Sequence, residues 1–210
     1  MRVPSTSAAD FVPARKTLTS LREAAKGCRG CPLFERGTQT VFGAGPAKAR
    51  VVMVGEQPGT EEDLEGLPFV GPSGRLLAES LEAAGIARDE VYVTTVVKHF
   101  KWEASGRRRL HRKPTGKEIA ACLPWLDEEL ELIKPEVLVC LGATPTQALL
   151  GKSVLMTKIR GEVLSSPRAR FAVATVHPAS ILRQRTSEDR ARELVRFRDD
   201  LGVVQRLLAR

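Results

Sequence analysis

Apolar residues in this chain gather into short runs, separated by stretches in which they recur every three or four positions. Residues 51–54 (VVMV) form the first run and 91–97 (VYVTTVV) the second; 136–141 (EVLVCL) and 171–176 (FAVATV) follow. Short runs rich in β-branched side chains and bounded by turn residues predict strands buried on both faces. Between them the helical period returns. Residues 73–84 carry leucines at 76, 77 and 81 on one face, with Gly85 placed as a C-cap. A short helix is predicted over 18–26. Thr115 is placed to cap a long helix to about Ile133, and another helix follows Gly142. Ser187 is expected to cap a last amphipathic helix that runs to the C-terminus. Strands alternating with helices predict an α/β fold: a single-domain three-layer α/β/α sandwich around a central, mainly parallel four-stranded sheet. Residues 1–17 are expected to form a loose N-terminal arm and 18–210 the domain.

Composition narrows the class. A chain of 210 residues, 42% of them hydrophobic, is large enough for a real core and too apolar for disorder. Lys and Arg number 33 against 25 Asp and Glu, a net charge of +8. That surplus points to a polyanionic partner, with a solvated basic surface as the plainer alternative. No apolar run approaches a membrane span and the N-terminus lacks a signal-peptide core, so a soluble, cytoplasmic protein is expected, and a monomer is assumed. Four cysteines are too few to staple a domain of this size. Cys28 and Cys31, two residues apart, have the spacing of a metal or dithiol site.

Parallel α/β folds place their chemistry on the rim shared by the C-terminal strand ends. Here those ends carry GEQPG at 55–59, KHFKW at 98–102, LGAT at 141–144 and HPAS at 177–180. The first is followed by acids at 61–63 and by PFVGPSG at 68–74. Taken alone, such a loop has an ordinary alternative, in which its acids simply face water.

These motifs, in this order over about residues 20–206, resemble the uracil-DNA glycosylase superfamily. Within it the chain is similar to the iron–sulfur branch near family 4. GEQPG and the insert ending Arg109-Leu110-His111 look most like UdgX, the member that bonds covalently to uracil-containing DNA. The resemblance implies a DNA repair enzyme acting on single- and double-stranded uracil-containing DNA. It implies that His177 donates to the departing base; the carboxylates of Glu56, Glu62 and Asp63 are candidates to position a nucleophile or stabilise the charged sugar, with at least one of the acids 61–63 expected only to face water. Phe69 would stack on the flipped base, while Gln57, Glu62 and Thr95 lie around it. His111 would bond to the sugar carbon in place of water. Its alternative is a histidine that contacts phosphate within the basic loop 106–114, where Arg107, Arg108 and Arg109 are expected to bind the backbone. Leu182 and Arg183 resemble an intercalating wedge and its phosphate contact. A conventional glycosylase that turns over, or a DNA-binding module without base release, are the other functions open.

Two positions depart from the family. Thr95 stands where the family has an Asn that reads the Watson–Crick edge of uracil, and one hydroxyl does not reproduce an amide's paired donor and acceptor. His99 stands where the family has its third cluster cysteine. Imidazole replaces thiolate in Rieske centres, so the expected ligands of a [4Fe–4S] cluster are Cys28, Cys31, His99 and Cys122. Cys140, inside an apolar strand, is the reserve ligand, and zinc on the same residues is the competing metal.

Overall fold

The computed structural model describes residues 7–209 apart from Arg107, which was expected among the phosphate contacts and lies outside the described residues. The elements run α1 (Leu18–Ala25), β1 (Val51–Gly55), α2 (Thr60–Glu65), α3 (Pro72–Ala83), β2 (Val91–Thr95), β3 (Trp102–Ser105) and β4 (Arg108–His111). They continue with α4 (Gly116–Ile133), β5 (Val137–Leu141), α5 (Ala143–Leu150), α6 (Met156–Ile159), β6 (Val163–Ser166), β7 (Ala169–Thr175), α7 (Pro178–Leu182) and α8 (Ser187–Leu208). A 3-10 turn at Ala8–Phe11 packs against α4, and Ala8 within it is fully buried.

The central sheet has five strands in the order β2-β1-β5-β7-β6, not four. The four expected strands are parallel, and β6 joins β7 antiparallel at the edge. β6 escapes a hydrophobic-run argument because it is a half-exposed edge strand, alternating in burial and ending in serines. β1 sorts the core into two layers by alternation. Val52 and Val54 face Leu21 of α1 and Trp125, Leu126 and Leu130 of α4. Val51 and Met53 face Leu77 and Leu81 of α3 and Phe197, Leu201 and Val204 of α8. Among the described residues no helix is long and apolar enough to cross a membrane.

Three local details differ from the sequence expectation. β2 stops at Thr95, because Val96 and Val97 turn to donate to the carbonyls of Gly55 and Glu56 at 2.9 and 3.1 Å. Thr186 caps α8 in place of Ser187, its hydroxyl accepting from the Asp189 amide at 3.0 Å. The basic loop is a two-stranded hairpin, β3 with β4, pairing Trp102 with His111 and Ala104 with Arg109. Its strands are polar and mostly exposed, so no apolar period marks them; the Arg109 guanidinium lies 4.8 Å from the Trp102 ring centroid.

Candidate active site

The C-terminal ends of β1, β2, β5 and β7 open into a cleft of about 400 Å³. At one wall β1 ends in Gly55, which precedes the lining residue Glu56. A Cβ there would meet the Phe69 ring at 3.0 Å, the Thr95 methyl at 3.4 Å and His177 Nε2 at 3.5 Å. Glycine thus lets Phe69, Thr95 and His177, far apart in the sequence, close in on the end of β1, where the three border one slot of the cleft. Phe69 has φ 57, in the left-handed region that ordinary side chains seldom adopt. Gly74 makes this conformation packable, since a Cβ at 74 would overlap the Phe69 carbonyl oxygen.

His177 caps α7: its Nδ1 accepts from the Ala179 amide at 3.1 Å. The proton of the neutral ring is therefore on Nε2, the atom beside the slot. Burial, with Arg183 and His111 adding to it, pushes the His177 pKa down to about 4, so the ring is a neutral donor at physiological pH. Its plane stacks with Phe69 at 24° and 6.1 Å between centroids.

Glu56 follows Gly55 directly. Its Oε2 accepts from the Thr144 hydroxyl, and its Oε1 faces His111 Nε2 at 3.6 Å. The His111 side chain is 52% exposed; burial lowers its pKa, Glu56 opposes that shift and Arg183 reinforces it. Glu56, Phe69, His111, His177 and Arg183 thus line one cleft, together with Thr95 and Lys113. Lys113 belongs to the basic loop 106–114 already marked by its charge, whereas the sequence offered no signal for Thr144 as the partner of Glu56.

The remaining expected residues are placed differently from one another. Gln57 lines the cleft, but its amide fastens the hairpin root, donating to the carbonyls of Arg112 and Lys101 at 3.0 and 3.3 Å and accepting from the Lys101 amide at 3.0 Å. Glu62 joins two loops by accepting from the Gly71 and Gly59 amides at 2.8 and 3.0 Å. Asp63 is fully buried and stands apart from the cleft lining. It accepts from the amide and hydroxyl of Thr38 at 2.9 and 2.6 Å and from Arg109 at 2.7 Å. Arg109 is thereby turned toward the protein, whereas Arg108 is exposed. Thr95 donates its hydroxyl proton to the Val97 carbonyl at 2.8 Å and leaves its methyl toward the slot. Leu182 ends α7 half-buried, and Arg183 follows it exposed on the cleft rim.

Residues 42–202 match the profile of the uracil DNA glycosylase superfamily. The chain belongs to that family. It is 42% identical over 167 residues to the type-4 uracil-DNA glycosylase of Thermotoga maritima, covering 79% of this chain and 83% of the relative. The type-4 enzyme of Archaeoglobus fulgidus is 38% identical over 74% of this chain and 78% of its own length. A type-5 uracil-DNA glycosylase of Pyrobaculum aerophilum is 29% identical over 78% of this chain and 76% of the relative.

In this glycosylase-family fold the cysteines divide into two groups. Cys28 and Cys122 are buried, Cys31 is partly so, and the three lie close enough to act on one another electrostatically. Burial pushes the Cys122 thiol up to about 12 and raises Cys31 as well. Trp125 Nε1 donates to Cys28 Sγ at 3.3 Å and the Lys98 amide donates to Cys122 Sγ at 3.2 Å. His99 is buried, its Nε2 3.1 Å from the Thr40 hydroxyl, and burial takes its pKa down to about 4. Cys140 lies apart on β5, fully buried, influenced by Arg168 and by none of the other cysteines. Among the described residues no three His, Cys, Asp or Glu side chains form a set for a single metal ion. Cys28, Cys31 and Cys122 are thus the thiols that could share one thiolate-bound group, two of them already receiving N–H donors.

Proposed function

We propose that this chain excises uracil from DNA and captures the resulting sugar on His111. Its class, a DNA glycosylase, rests on the family match and on relatives up to 42% identical. The observation that carries the finer reading is the meeting of His111 with Glu56 in the same cleft as the slot formed by Phe69 and His177.

The chemistry follows from what each residue offers. A base turned out of the stack enters the slot of the cleft, against the Phe69 ring. The bond from C1′ to the base breaks with its electron pair going to the base, and the His177 Nε2–H stabilises that anion as it forms. A neutral donor suits a weakly basic leaving group, because it lends a hydrogen bond without a competing charge. The sugar becomes cationic, and the Glu56 carboxylate faces it. The neutral His111 Nε2 then shares its lone pair with C1′. The ring's Nδ1 proton passes to solvent, and the released base anion takes a proton from water. Asp63, Arg109 and Gln57 hold the hairpin so that His111 stays at this position. Arg108, Arg183 and Leu182 remain for the DNA backbone and the gap in the stack.

Cys28, Cys31 and Cys122 would hold a [4Fe–4S] cluster, and His99, whose Nε2 lies 3.1 Å from the Thr40 hydroxyl, would have to turn from that partner to serve as the fourth ligand. When bound the cluster would act as a cross-link between the N-terminal segment, α4 and the chain leaving β2. The domain assigned to this function takes in the 3-10 turn Ala8–Phe11, part of the expected loose arm, because Ala8 is buried in its core; it would act as a monomer on single- and double-stranded DNA.

Purified protein is mixed with a labelled single-stranded oligonucleotide containing one uracil and run on a denaturing gel. A band shifted by the mass of the protein, absent with the thymine control and with His111→Ala, is expected. Strand breakage after alkali without that band would replace capture by ordinary hydrolytic turnover. Capture by His111→Ala at the parent rate would remove His111 from the mechanism.

A further inference from the structure

Beneath the slot lies a charged pair that the chemistry above leaves unused. Lys98 and Glu129 are both fully buried and meet at 2.6 Å. An ammonium has three protons to give, and all three are placed. Lys98 Nζ donates to Glu129 Oε2 at 2.6 Å, to the Thr94 hydroxyl at 2.6 Å and to the main-chain carbonyl of Thr95 at 2.8 Å. Glu129 is satisfied in turn by the Tyr92 hydroxyl at 2.8 Å, the Thr94 hydroxyl at 2.9 Å and the Gly43 amide at 3.0 Å. The Phe42 ring covers the ammonium, its centroid 5.4 Å away.

Stability alone is a poor reason for this arrangement, because apolar residues of similar volume usually serve a fold as well as a buried ion pair does. What the pair supplies is direction. One Lys98 N–H points at the carbonyl of Thr95, the residue whose methyl borders the slot. The same short turn is held from three other sides. Val97 N donates to the Glu56 carbonyl at 3.1 Å, Val41 N donates to the Lys98 carbonyl at 2.8 Å, and Lys98 N donates to Cys122 Sγ at 3.2 Å. Residues 95–98 therefore connect the slot, the Glu56 loop and the cysteine site.

We infer that Lys98 is a positioning residue for base recognition: held in line by Glu129, it fixes the Thr95 backbone and with it one wall of the slot. The inference rests on the base-excision reading for the identity of the ligand, and it does not depend on covalent capture.

The test replaces the pair while leaving no unpaired charge. Lys98→Met with Glu129→Gln keeps an amide oxygen for Tyr92 and Gly43 and removes the bond to the Thr95 carbonyl. Two labelled oligonucleotides are compared by equilibrium binding: one with a single uracil on a fluorinated sugar that resists cleavage, one with an abasic analogue at the same place. Affinity for the uracil oligonucleotide is expected to fall about tenfold with abasic binding unchanged, since only the first places a base in the slot. Iron content and the thermal midpoint, measured on the same samples, are expected to stay near the parent's. Thr94→Val, which removes one hydroxyl of the network, provides a milder second variant and is expected to show the same selective loss, about threefold. Parent-like uracil affinity in a folded variant would overturn the inference, and so would equal losses on both oligonucleotides. A parent that prefers uracil over the abasic probe yet releases no base would defeat the excision reading alone; a parent without that preference would defeat both.

Discussion

His111 Nε2 stands 3.6 Å from Glu56 Oε1, beyond a hydrogen bond but close enough for the carboxylate to face positive charge on the ring or on a sugar beside it. Capture needs the ring neutral, so its pH dependence reports this environment. Burial sets the His111 pKa below its ordinary value of 6.5, and Glu56 only partly restores it. A base with a lowered pKa keeps its neutral form to lower pH. The midpoint of the loss of adduct formation on acidification is therefore expected to lie below pH 6.5. A second loss is expected near pH 4, where His177 takes a proton on Nδ1, the atom that accepts from Ala179. Adduct formation on a uracil oligonucleotide, timed across this range, checks both limbs. A midpoint above pH 6.5 would contradict the assigned environment of His111.

Thr95 bears on selectivity. Its hydroxyl proton is committed to the Val97 carbonyl, so the slot receives a methyl where an amide would offer both a donor and an acceptor. A polar edge of the base that meets no partner costs affinity. Thr95→Asn is expected to raise the initial rate on uracil by about tenfold at subsaturating substrate, with no gain on thymine. An unchanged or lower uracil rate would show that base reading does not pass through this position.

The two described arginines of the basic strand are expected to behave differently, although they adjoin in sequence. Arg108 is exposed, whereas Arg109 meets a fully buried Asp63 at 2.7 Å and lies over Trp102. Arg108→Ala should weaken DNA binding and reduce the salt slope of log affinity by about one. Arg109→Ala should leave that slope alone, destabilise the fold by about 2 kcal/mol and slow capture through a loosened hairpin. Binding isotherms over a salt series, together with thermal melts, separate the two. A reduced slope for Arg109→Ala would return it to the DNA interface.

How much of this was legible in the sequence depends on what each residue answers to. The four parallel strands were readable because burial on both faces demands near-continuous apolar runs, as in 51–54 and 91–97. β6 and the β3–β4 hairpin were not, because half-exposed strands rich in Ser, Arg and Glu leave no such mark. The rim was readable from topology, which brings Glu56, Thr95 and His177 together. The partners of individual polar groups were hidden. Nothing local in GEQPG tells that Gln57 turns to the hairpin while Glu56 turns to Thr144 and His111. Nor does Lys98 announce a burial partner 31 residues away on α4.

The cysteines give the last prediction. Counting alone would join all four, but Cys140 sits on the central strand β5 with its thiol influenced by Arg168 and not by the others. Cys28, Cys31 and Cys122 influence one another, and two of them already accept N–H donors. A cluster ligand must lose its proton to bind, and burial, which raises the Cys122 thiol, opposes that loss until a metal takes the proton's place. Cys122→Ser is therefore expected to abolish bound iron and to lower stability, since α4 loses its cross-link to the N-terminal segment. Cys140→Ala should retain the parent's iron and lose only about 1 kcal/mol from the small cavity left in the core. His99→Cys, restoring a thiolate at the fourth position, should retain iron and shift the visible spectrum of the cluster. Anaerobic purification with iron and zinc analysis of each variant checks all three. Zinc in place of iron throughout would keep the ligand set and replace the cluster, whereas iron lost from Cys140→Ala would move the site to β5.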